Sequence, residues 1–103
     1  MTIRRRLRNR RASITFDVEA FGLMFTVTAS RFDDGTIAET FIRNHKCTSA
    51  AGIMASDSAV AASLALQYGC PAEILARALS RDSANRPTGP LGIALDELLG
   101  WRL

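Results

Sequence analysis

An α+β fold is predicted, a three-stranded antiparallel sheet followed by three helices (β-β-β-α-α-α) packed on one face. Three observations predict it. Apolar and polar residues alternate with period two through residues 13–44, an Asp-Gly turn signal interrupts that alternation, and from residue 50 onward the apolar spacing becomes helical.

The first strand is the cleanest. Ile14, Phe16 and Val18 fall on one side of Ser13–Glu19, and Ser13, Thr15, Asp17 and Glu19 on the other, the pattern of a half-buried strand. Ala20, Phe21 and Gly22 make a short connection. Leu23–Arg31 is rich in β-branched and aromatic residues, with Leu23, Phe25, Val27 and Ala29 on one face and Met24, Thr26, Thr28 and Ser30 on the other. Asp33-Asp34-Gly35-Thr36 carries the Asp-Gly signal of a tight hairpin, because glycine accepts the positive φ such a turn requires. Ile37–Asn44 is the return strand.

Thr48 and Ser49 are good N-cap residues, and the Ala-rich segment Ala50–Tyr68 follows them as a long helix ended by Gly69. Its near-lack of charge predicts burial. Pro71 and Glu73 suit the first turn of a second helix with Ile74, Leu75, Ala78 and Leu79 as its apolar stripe. A polar loop, Arg81–Thr88, separates it from a third helix opened by Gly89-Pro90. Leu91, Ala94, Leu95 and Leu98 of that helix face inward, and Trp101 packs back on the body.

The 103 residues leave room for one core, so residues 12–103 are read as a single α+β domain and residues 1–11 as a flexible basic arm. Arg4, Arg5, Arg6, Arg8, Arg10 and Arg11 supply six of the 13 basic side chains, and no acidic residue lies among them. The remainder carries more acidic than basic groups, which rules out a uniformly basic binding face. No apolar run approaches the roughly 18–20 residues that span a bilayer, and no secretory signal pattern follows the arginines, so a cytoplasmic protein without membrane contact is expected.

Candidate sites are few. The arginines of the arm could neutralise phosphates, giving a salt-sensitive nucleic-acid contact through Arg4, Arg5, Arg6, Arg8, Arg10 and Arg11, although no interleaved aromatic offers base stacking. His45, Lys46, Thr48 and Ser49 converge at a helix start, where backbone N–H groups favour an anion, and they form the candidate ligand-binding set. His45, Cys47 and Cys70 lack the number and spacing of a structural zinc site, so neither metal nor cofactor is expected. The two cysteines are read as small buried groups near helix starts. Asp57 is the odd charge on its helix and is expected to pair with Lys46, Arg31 or Arg43. Gly52, Ala55, Ala59 and Ala62 form a small-residue stripe that permits close self-association, and a homodimer is expected from it. No Ser/His/Asp, Cys/His or paired-carboxylate arrangement is present, so no catalytic residue is assigned.

The order and spacing of several short runs resemble a known family. FTVT, DDG, ETFI, Lys46-x-x-Ser49, SLALQYG and PAEILARAL together resemble the TSCPD domain, found at the C-terminus of vitamin B12-dependent ribonucleotide reductases and in small stand-alone proteins. The resemblance covers about residues 13–99. Where that domain carries Thr-Ser-Cys-Pro-Asp, this chain reads Pro87-Thr88-Gly89-Pro90-Leu91, so the proline is kept and the cysteine and aspartate are not. What the resemblance implies is a non-catalytic accessory or binding module that lacks the reductase's catalytic barrel, with a ribonucleotide reductase or a nucleotide as its partner. The alternative is a small nucleic-acid-binding protein that uses the arginine arm.

Overall fold

The alternation of Ser13–Glu19 becomes strand β1 (Ser13–Ala20), which pairs antiparallel with β2 (Leu23–Arg31); β2 pairs antiparallel in turn with β3 (Ile37–Asn44). Three helices follow, α1 (Ala50–Gln67), α2 (Ala72–Ala78) and α3 (Pro90–Gly100). The computed structural model describes residues 3–7, 12–46 and 49–100. The predicted α+β order is the observed one. Trp101 lies outside the described residues.

The sheet order is β1-β2-β3, so β1 and β3 are its two edges. Phe21 and Gly22 form a two-residue turn with both φ angles positive, 58° and 73°, the mirror-image geometry whose twist matches the flanking strands. Glycine adopts that conformation freely, whereas an aromatic residue there is strained. Phe21 was therefore unreadable as a turn residue from its type. At the other hairpin, the Gly35 N–H donates to Phe32 O at 2.9 Å, with Gly35 at φ 88°. Register shifts beside Ser30 and Arg31: Ser30 faces Glu39 but Arg31 faces Ile37, leaving Ala38 as the extra residue of a bulge. Strict alternation breaks there, and Ile37 and Ala38 are buried in succession.

One face of the sheet carries the core. Val18, Phe25, Val27, Ala29 and Ile42 meet Ala55, Ala59, Ala62 and Leu66 of α1 and Leu91, Ala94, Leu95 and Leu98 of α3. The opposite face is polar: Thr15 and Thr28 hydroxyls lie 3.3 Å apart, and Thr26 Oγ1 donates to Asp17 at 3.0 Å. Cross-strand pairs of this kind each contribute a few tenths of a kcal/mol to about 1 kcal/mol.

The long helix inverts the usual distribution of sizes. Its buried side consists of Gly52, Ala55, Ala59, Ala62 and Ser63, while Ile53, Met54, Val60, Leu64 and Tyr68 are exposed. The reason is distance of approach. Small side chains let α1 settle closely on β3, and a Cβ built on Gly52 would lie 2.9 Å from Lys46 O. The stripe Gly52, Ala55, Ala59 and Ala62 is thus consumed inside the chain, which corrects the expectation that it serves self-association. The expectation that the whole helix is buried is likewise corrected.

That close approach also closes one edge of the sheet. Ser63 Oγ donates to Thr40 O and accepts from the Thr40 N–H, each at 2.9 Å, and Gln67 Nε2 donates to Ala38 O at 3.2 Å. These groups are outward ones in the first half of β3, and α1 satisfies them with two side chains.

Candidate functional site

Two places concentrate polar groups, and they lie at opposite ends of β3 and α1. At the β3–α1 junction, the buried Asn44 donates from Nδ2 to Met24 O at 2.9 Å and accepts the Lys46 N–H at 2.8 Å. This bends the chain out of the sheet. Ser49 then caps α1: its hydroxyl donates to Lys46 O at 2.7 Å and accepts the Gly52 N–H at 3.1 Å. Both capacities of that hydroxyl are engaged, and one of the helix's free amides is consumed. His45 and Lys46 are exposed beside the cap. Thr48 and Cys47 lie outside the described residues. Asp57 is exposed one helical face away and makes no ion pair among the described residues, contrary to the expected pairing.

At the opposite end is an open cavity of about 760 Å³, between residues 3–5, the β2–β3 turn, the end of α1 and the end of α3. That volume is within the roughly 300–1,000 Å³ range of small-molecule clefts. Phe32, Ile37, Leu66 and Leu98 provide apolar wall, and Arg5 and Arg31 provide charge. No motif in the sequence marks it, because its walls come from four separate segments.

The arginines here are tied to the body. The Arg5 N–H donates to Gln67 O and Arg4 Nε to Gln67 Oε1, both at 2.6 Å. The Arg5 guanidinium lies 3.1 Å from Asp34 Oδ2 and 3.8 Å above the Phe32 ring centroid. Arg31 donates to Gly35 O at 2.9 Å and to Leu98 O at 2.6 Å, placing a cation near the C-terminal end of α3, where the helix dipole favours it. Asp34 Oδ1 accepts both the Thr36 hydroxyl at 2.6 Å and the Thr36 N–H at 3.0 Å. Those bonds, with Arg5 as a smaller contributor, hold the Asp34 carboxyl at about 2, below its ordinary 3.8. Of the other arm residues, Arg6 is exposed, and Arg8, Arg10 and Arg11 lie outside the described residues.

Cys70 is partly exposed at the cavity wall, with its Sγ 3.7 Å from Pro71 O, so the expectation of a buried thiol does not hold for it. Among the described residues no three His, Cys, Asp or Glu side chains are placed to share a metal ion. No helix among them is long and apolar enough to cross a membrane.

Over 70 residues, 68% of its length, the chain is 40% identical to a vitamin B12-dependent ribonucleotide reductase of Agrobacterium fabrum (strain C58 / ATCC 33970). The chain spans about 6% of that protein's length. It is therefore related in sequence to a small region of a ribonucleotide reductase. No family model matches the chain, and no solved structure matches it.

Proposed function

We propose that this chain is a TSCPD-like accessory module that acts in ribonucleotide reduction by binding a reductase chain or its nucleotide, without chemistry of its own. The observation that carries the proposal is the 40% identity to a segment that forms 6% of a vitamin B12-dependent reductase. In that protein the corresponding segment is joined to a far larger body.

A surface suited to such a body is present. Ile53, Val60, Leu64 and Tyr68 recur at seven- and four-residue spacing, so they share one side of α1, and each is at least 41% exposed. A row of large apolar side chains on a small protein marks an interaction surface. The reductase chain is the occupant this reading assigns to it. The cavity between Arg5, Arg31 and Leu98 is the place assigned to a nucleotide, and the exposed His45 and Lys46 side chains at the start of α1 form a second anion contact within the same proposal.

The nucleic-acid alternative draws on the same arginines, of which Arg4 and Arg5 are held at the cavity by Gln67, Asp34 and Phe32 rather than strung along an open surface. Titration of the chain with a purified vitamin B12-dependent reductase, followed by calorimetry, tests the proposal. Saturable binding that Leu64→Glu abolishes while the circular dichroism spectrum stays unchanged is expected. Absence of binding to both reductase and ribonucleotides, or turnover of ribonucleotides by the chain alone, overturns it.

A further inference from the structure

The two edges of the sheet are treated differently. On β3 the outward groups of Thr40 and the Ala38 carbonyl are capped by Ser63 and Gln67, as described above. On β1 they are not. A two-residue turn makes Ala20 and Leu23 a hydrogen-bonded pair, so Ala20, Val18, Phe16 and Ile14 direct their N–H and C=O groups toward β2. Ser13, Thr15, Asp17 and Glu19 then direct theirs away from the sheet. The same counting on the other side of β2 sends Ala38 and Thr40 outward on β3, where their bonds to Gln67 and Ser63 are found. Among the described residues no backbone hydrogen bond reaches the outward groups of β1.

Apart from the carboxylates of Asp17 and Glu19, the usual devices that blunt an exposed edge are missing from this strand. It is eight residues long, holds no proline and no lysine, and its pairing with β2 runs through without a bulge. Its apolar side is incompletely covered as well, with Ile14 38% exposed. An edge of this kind is a template for strand addition.

We propose that β1 is the interface with a second copy of this chain, joined antiparallel about a two-fold axis through Phe16 to give a continuous six-stranded sheet. The register follows from the residues. With Phe16 opposite Phe16 of the second copy, Thr15 faces Asp17, Ser13 faces Glu19, and Ile14 faces Val18. Every outward N–H and C=O of β1 then has a partner, each carboxylate stands opposite a hydroxyl, and the two Phe16 rings meet on the core side. Moving the register one step along places Asp17 against Asp17, and moving it two steps along places Asp17 against Glu19, both repulsive. Moving it one step back leaves Glu19 beyond the end of the partner strand. The strand is therefore self-complementary in one register, which is what an isologous contact requires. The inference does not depend on the role proposed above, since it rests on β1 alone.

The test is the concentration dependence of mass, by sedimentation equilibrium on the full chain and three variants at position 15, with circular dichroism confirming the fold of each. Thr15→Pro removes an outward N–H and is tolerated by an isolated edge strand; it is expected to leave monomer only. Thr15→Asp sets a carboxylate against Asp17 twice by symmetry and is expected to raise the dimer Kd by roughly twofold to thirtyfold. Thr15→Lys sets an ammonium against Asp17 twice and is expected to lower it. A wild-type chain that stays monomeric at hundreds of micromolar overturns the proposal. So does a dimer with the same Kd in the Pro, Asp and Lys variants, since its interface would lie elsewhere.

Discussion

Removing the Ser63 hydroxyl is the sharpest perturbation the structure offers. Ser63 is buried on α1 and is the sole described partner of both outward backbone groups of Thr40. Ser63→Ala leaves a buried N–H and a buried C=O without partners, in a position that water cannot reach without prising α1 off the sheet. An orphaned buried group costs about 1–3 kcal/mol, and the carbonyl costs less than the amide because its requirement is softer. Against this, alanine gains roughly 0.5 kcal/mol of helix propensity over serine. The balance is a loss of about 1.5–3 kcal/mol, which for a domain of this size lowers Tm by about 4–8 °C for each kcal/mol. Urea unfolding should show a lower midpoint with an unchanged slope, because the surface exposed on unfolding is the same. Amide exchange at Thr40 should accelerate more than at Phe25 or Leu95. A loss below about 0.5 kcal/mol, with Thr40 exchange unchanged, would refute the claim that this hydroxyl seals the β3 edge.

Three further outcomes follow from the same reasoning. The Thr40 hydroxyl is itself buried with no hydrogen-bond partner among the described residues, so Thr40→Val should stabilise the protein by about 1 kcal/mol in the same urea experiment, and a loss of stability would contradict this. The Asp34 carboxyl, held at about 2, contributes stability that is fully present above its ordinary 3.8 and is lost as pH falls through about 2. Carbon-detected NMR titration should find Thr36→Val raising this value more than Arg5→Ala, and the opposite ranking would contradict the assignment of its cause. Arg81 donates two bonds to Asp96, at 2.8 and 3.1 Å, and others to Asn85 O and Ala76 O, fastening residues 79–89 to α3. Lysine cannot reproduce that fork, so Arg81→Lys should raise proteolytic cleavage within 79–89 severalfold, and an unchanged rate would contradict the role given to the fork.

The strands were legible because their side chains alternate and because Asp34-Gly35 announces its turn. The helices were legible from Ser49, Gly69, Pro71 and Pro90, which act locally and mean the same thing in any fold. The face that α1 buries was not. A helix of alanines with scattered Ile, Val and Leu reads as buried all round, and only the proximity of β3, set by Gly52 and Ala59, decides that the small side is the inner one. The connection at Phe21-Gly22 was legible as a break in the alternation, but its mirror-image geometry was not, since a phenylalanine at positive φ has no local signature. For the candidate sites, the Ser49 cap could be read from the sequence, but the cavity could not. Arg5 meets Asp34 and Phe32 across nearly thirty residues, and Arg31 meets Leu98 across a longer gap still. Such pairings depend on topology, and the arginines of the arm read in isolation as free charge.

The role proposed for this chain is that of a binding module for a ribonucleotide reductase. Its sharpest test uses a vitamin B12-dependent reductase truncated to remove the segment that matches this chain, assayed with ribonucleotide and with the 103-residue chain supplied separately. Saturable binding and a change in the truncated enzyme's rate or stability are expected, both lost in Leu64→Glu, with no product from the chain alone. A truncated reductase that neither binds the chain nor responds to it at saturating concentration would rule that role out.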